Sequence, residues 1–245
     1  MKSSVISKYD HLSRRKKFTT RAIAILGALI LLITALTFYG TQTGNFVISV
    51  KNLNRNESIM LSMSEDSTDL TSRIVAKPLK DCIDGCYADI PDEIEEGLGS
   101  KNDDQGRYLA ISFYLINNGT TARNFTMDFK ITSVTKNVDT ILRVMVIQDG
   151  EKSFYSKAKE NDEGSEFGEP IRGITSYGLE EIQKTVAFSD ETTILFREFK
   201  DFEVGTKKKF TIVMWLDGFD DQNPDNNREM LGGALKTDLK FSITG

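Results

Sequence analysis

Two groups of residues in this chain have the types and spacing to do chemistry: a close pair of cysteines and a run of carboxylates and amides. Cys82 and Cys86 are the only cysteines, set in Asp81-Cys82-Ile83-Asp84-Gly85-Cys86. A redox centre more often shows Cys-x-x-Cys, and a metal site needs further ligands. The spacing points instead to a small structural disulfide, with Gly85 easing the tight turn that its geometry demands. Closing so small a ring restricts the unfolded chain by only about 2 kcal/mol.

The second group is Asp217-Gly218-Phe219-Asp220-Asp221-Gln222-Asn223-Pro224-Asp225-Asn226-Asn227-Arg228-Glu229. Within it Asp221, Asn223, Asp225 and Asn227 alternate as the oxygen ligands of a calcium loop do. The EF-hand pattern stops there, because Asn226 stands where glycine is wanted and Gly232 where a bidentate glutamate is wanted. The run reads either as a calcium loop or as a solvated hairpin loop between strands at Phe210 to Leu216 and Leu235 to Ile243.

The only histidine is His11, near the N-terminus. The rest of the chain therefore lacks the usual general base of serine and cysteine hydrolases and the usual zinc ligand. Carboxylate-only catalysis, as in glycosidases, passes this test, but such pairs are recognised by separation in space and no pair stands out. No catalytic or cofactor-binding residue is nominated. Trp215, the only tryptophan, could stack on a sugar, yet between Met214 and Leu216 it reads as a second-sheet core residue.

The element that places these groups in a compartment is the N-terminal apolar segment. Residues 22–39 carry no charge and follow Arg14-Arg15-Lys16-Lys17 and Arg21. Eighteen residues of helix span about 27 Å, close to the hydrocarbon thickness of a bilayer. Each Ile, Leu or Phe within it favours insertion by about 0.3 to 0.6 kcal/mol. The run is longer than a signal peptide's apolar core, and it ends Thr37-Phe38-Tyr39-Gly40 rather than in small residues, so it reads as an uncleaved signal-anchor. The basic flank stays cytoplasmic under the positive-inside rule. The expected layout is a cytoplasmic tail over 1–21, a transmembrane helix over 22–40 and an extracellular domain over 41–245.

Charge follows the same division. The chain is formally −5, and residues 1–21 contribute +6, which leaves −11 beyond the anchor. Such an exterior repels nucleic acid and suits cations or basic partners.

The exterior is long enough for one domain with a full core. Phe125, Met127, Phe129 and Ile131 alternate with polar residues, as do Leu239, Phe241 and Ile243, and Phe210, Ile212, Met214 and Leu216 recur at the same period of two. Tyr108 to Ile116 and Ile141 to Ile147 are evenly apolar, as in strands covered on both faces. Asn117-Asn118-Gly119 carries turn chemistry, a short helix is conceivable around Asp92 to Leu98, and Lys207-Lys208-Lys209 suggests a sheet edge or a turn. The expectation is a mainly β fold: an antiparallel β-sandwich or jelly roll behind one transmembrane helix.

This layout, with Thr43-Gly44-Asn45-Phe46-Val47-Ile48-Ser49-Val50 as first strand, Tyr108 to Thr120 as strand and turn, and Val213-Met214-Trp215-Leu216-Asp217-Gly218 followed by Gly232-Gly233, resembles membrane-anchored proteins of Gram-positive bacteria. More loosely it is similar to the camelysin and biofilm-fibre family, whose members are exported jelly-roll sandwiches. The resemblance implies architecture and a cell-surface location. The functional expectation is a single-pass surface protein with a non-catalytic ectodomain for binding, adhesion or envelope assembly, partnered by the membrane through 22–39 and by an envelope polymer or protein. Two alternatives are a surface enzyme using carboxylates on glycans and a pilin-like subunit, the latter because Lys17-Phe18-Thr19-Thr20-Arg21 resembles a pilin leader.

Overall fold

The structure is a computed structural model that describes residues 25–30, 46–51, 59–79, 81–158, 165–220 and 230–244. The chain divides into two compact units, Met1–Thr43 and Gly44–Gly245. In the first, residues 25–30 are helical and expose Ile25, Leu26, Leu29 and Ile30. Among the described residues no helix is long and apolar enough to cross a membrane. The remainder of the expected span at 22–40 lies outside them, as do the tail with His11 and the spacer before Phe46.

The second unit is mainly β. Its strands are β1 (Phe46–Lys51), β2 (Ile59–Ser62), β3 (Arg73–Val75), β4 (Gly99–Ser100), β5 (Tyr108–Asn117), β6 (Arg123–Val134), β7 (Leu142–Gln148), β8 (Glu151–Ser156), β9 (Ile171–Thr175), β10 (Gly178–Gln183), β11 (Val186–Ala187), β12 (Thr193–Phe202), β13 (Lys207–Leu216) and β14 (Leu235–Ile243). One sheet has the order β12-β6-β14-β1-β3; the other runs β11-β8-β7-β13-β5-β2, with β4 beside β5. A third, two-stranded sheet pairs β9 with β10.

The first two sheets share one core. Phe46, Ile48, Phe129 and Phe241 from one meet Ile111, Phe113, Phe210 and Ile212 from the other. Phe113 and Phe241 cross the gap with ring centroids 6.1 Å apart, and Phe210 and Phe241 approach to 5.4 Å. Such pairs add about 0.5 to 1.5 kcal/mol each beyond burial. The alternating strands β6 and β14 bury one face, as their period-two pattern requires.

The evenly apolar strands are explained by a second cluster on the other face of the larger sheet. There Tyr108, Ala110, Met145, Phe154, Val213 and Trp215 are covered by Tyr87, Ile90, Ile94 and Ile171. Trp215 is accordingly only 2% exposed, a core residue of that second face.

Three expectations are corrected and one holds. The sheets are not wholly antiparallel: β1 pairs with β14 in parallel, Phe46 opposite Thr237, and β11 pairs with β8 likewise. A parallel pair needs a long crossover, and nearly the whole domain lies between β1 and β14. Residues 92–98 form turns rather than a helix, with a single 3-10 turn before them at Tyr87–Asp89; Gly97 and Gly99 take φ of 67° and 88°, which right-handed helix excludes. The Asn117-Asn118-Gly119 turn does link two strand runs, β5 and β6, which lie in different sheets, and the buried Asn117 amide holds it by donating to the carbonyls of Thr121 and Phe202. Lys207-Lys208-Lys209 opens the central strand β13, where Lys207 sits 5.7 Å over the Tyr114 ring.

Candidate functional site

Strands β1, β5, β7 and β14 begin, and β13 ends, around one apolar cleft of about 220 Å3. Phe46, Leu109, Leu142, Met214 and Leu235 line it, and the exposed residues Asp81 and Cys82 flank it.

The loop carrying both cysteines is laid against this end of the domain by main-chain bonds. Ile83 N–H donates to Gly106, Gly85 N–H to Leu216 and Gly218 N–H to Gly85. The two thiols are free, contrary to the disulfide expected from their spacing. The Cys86 thiol donates to Asp89 Oδ2 at 3.1 Å while its N–H donates to the same oxygen at 2.8 Å, so its sulfur is committed to capping the 3-10 turn. The Cys82 thiol instead donates to the carbonyl of Ile83 at 3.6 Å. Gly85 serves close packing rather than a ring closure: a Cβ there would stand 2.5 Å from the Arg107 carbonyl oxygen. Although Cys82 reaches solvent, the protein packed around its sulfur desolvates it and, with Asp84 beside it, pushes the thiol up to about 11; burial and Asp89 raise that of Cys86. Neither is a ready nucleophile.

A polar lattice fixes the surrounding loops. Arg107 reaches Asp89 at 2.6 Å and Asp103 at 3.0 Å. The hydrogen bond from Arg107 holds the Asp103 carboxyl down at about 2. Arg143, with no exposed side-chain surface, lies 3.2 Å from Asp217 and 2.5 Å from Asp220. Burial raises the Asp217 carboxyl, and the Arg143 charge opposes that shift. Two carboxylates at the root of the acidic run are thus tied to a guanidinium. Asp221, Asn223, Asp225 and Asn227 lie outside the described residues.

The feature that sequence reading missed is the β9–β10 hairpin. Its base is fixed: Ile171 is buried, and the hydroxyls of Ser156 and Thr185 both donate to the Glu169 carbonyl, at 2.8 and 2.9 Å. Its far end is apolar and solvent-facing, with Ile174 77%, Tyr177 89% and Leu179 52% exposed. Ile174 and Leu179 are direct cross-strand partners and so share a face, on which Arg172 and Glu181 form the next pair. Phe167 and Val186 extend the exposed apolar surface beside the hairpin. Among the described residues β10 pairs only with β9, which leaves its other edge open. The signal in the sequence was Ile174 and Leu179 around Ser176-Tyr177-Gly178, hidden by the polar residues on either side.

No family model, no curated protein and no solved structure matches this chain.

Proposed function

We propose that this chain is a single-pass surface protein, anchored by residues 22–39, whose jelly-roll-like domain works outside the membrane as a non-catalytic binding or assembly module. The observation that carries this reading is the β9–β10 hairpin: a rooted base, an exposed Ile174/Leu179 face and an open strand edge. Exposed apolar patches mark interaction sites, and an open edge gives an extended segment main-chain bonds to complete. Glu180 and Glu181 lie on that edge strand, and the part of the chain beyond the anchor is formally −11, so the partner is an extended, basic segment of an envelope protein.

Two experiments test it. Protease added to intact cells removes the domain if it faces outward; protection reverses the orientation. Cross-linked cells carrying an Ile174→Ser/Leu179→Ser variant are then expected to lose partners that wild-type cells retain, while Phe196→Ser, a change at another exposed strand, keeps them. Equal capture by all three chains removes the hairpin from the interface.

A further inference from the structure

We infer that the apolar cleft framed by Phe46, Leu109, Leu142, Met214 and Leu235 is a binding site for the end of one acyl chain of a membrane lipid. Its volume, about 220 Å3, exceeds the roughly 150 Å3 of an engineered apolar cavity that takes up benzene. Among the described residues lining it, Asp81 is the only charged one. The Thr237 hydroxyl, which also lines the cleft, is turned to the Met214 sulfur at 3.8 Å. A polar ligand body would lose its water there without finding partners, whereas an alkyl chain loses nothing by desolvation. The protonated Cys82 thiol leaves the binding non-covalent.

The sequence before β1, Thr41-Gln42-Thr43-Gly44-Asn45, and the sequence 221–229 after β13 carry no large apolar side chain. The lipid source is close if the anchor reading holds, on which this inference rests. Phe46 both opens β1 and lines the cleft, and the six residues from Gly40 to Asn45 extend to at most about 21 Å. Asp81 and the acidic exterior favour a zwitterionic or cationic head group over an anionic one.

The test uses the full chain in phosphatidylcholine vesicles containing a phosphocholine lipid with a photoactivatable group at its acyl terminus. After irradiation, labelled peptides are expected both from 22–39 and from the segments holding Leu109, Leu142 and Leu235. Replacing the probe by an anionic-headed analogue should reduce the second set several-fold. Two cleft-filling variants, Leu235→Trp and Ala234→Phe, should each remove the second set and leave the first; if one fails to fold by its melting curve, the other decides. Labels confined to 22–39 overturn the acyl site and leave the anchor standing. Labels nowhere overturn both. Domain labelling that persists in a folded, filled variant also overturns the site.

Discussion

Arg143 and Asp220, 77 positions apart, meet at 2.5 Å inside the domain, and Asp217 stands 3.2 Å from the same guanidinium. Strand β7 places Arg143 opposite Trp215, on the face of the larger sheet that the 87–94 segment and Ile171 cover. The arginine therefore sits in an otherwise apolar strand because two carboxylates just beyond the end of β13 close over it.

Replacing Arg143 by Met would leave those carboxylates buried without their guanidinium, a change expected to cost about 3 to 5 kcal/mol. The deficit should shrink on acidification. Without the arginine, burial acts unopposed on the Asp217 carboxyl and holds it further above its unfolded value, so the folded state gains a proton as pH falls and recovers stability. Urea unfolding of the two proteins at neutral and mildly acid pH measures this. A constant difference across pH would show that Asp217 and Asp220 are balanced by other groups.

That relationship also marks where sequence legibility ends. The period-two residues of β6 and β14 announce their one-sided burial, and the even apolarity of β5 and β7 announces two covered faces. These signals are local, since each strand's faces are written in its own residues. The parallel pairing of Phe46 with Thr237, the cleft assembled from several strand ends and the Arg143 cluster depend on residues far apart in the chain, and no local pattern encodes them. The cysteines show the converse error. Four-residue spacing suggested a bridge, whereas Asp89, outside the motif, takes up the Cys86 thiol.

The free thiols make a direct prediction. Unreduced, denatured protein should accept two carbamidomethyl groups, at Cys82 and Cys86, by mass spectrometry. In the folded protein at neutral pH, Cys82 should react about tenfold or more slowly than an unperturbed cysteine, because a thiol near 11 is almost wholly protonated there. A mass two protons lower, with no alkylation before reduction, would restore the disulfide.

Acid should destabilise the domain in a defined window. The hydrogen bond from Arg107 holds Asp103 at about 2 against an ordinary 3.8, and the Thr192 and Thr193 bonds hold Asp190 at about 2. Both folded values lie below the unfolded ones, so the stability they confer is complete above about pH 4 and is lost as pH falls toward 2. Asp103→Asn and Asp190→Asn should each melt lower than wild type at pH 7, with the gap closing by pH 2. Parallel melting curves across that range would mean that neither carboxylate is held by its neighbours in solution.

Gly85 ties the cysteine loop to the end of β13, its N–H donating to Leu216 and its carbonyl accepting from Gly218. An alanine Cβ at this position would lie 2.5 Å from the Arg107 carbonyl oxygen, a backbone atom that cannot swing aside as a side chain would. Gly85→Ala should therefore cost about 1 to 3 kcal/mol, lowering the melting temperature by several degrees in a domain of this size. Gly218→Ala is the matched control: its nearest contact would be the Asp84 Cβ at 3.3 Å, which needs a shift of only a few tenths of an ångström. The larger effect should also appear at Cys82, whose alkylation should quicken in Gly85→Ala as the loop lifts from the Arg107 backbone. Equal melting temperatures for the two variants would place the loop farther from Arg107 than its main-chain bonds put it.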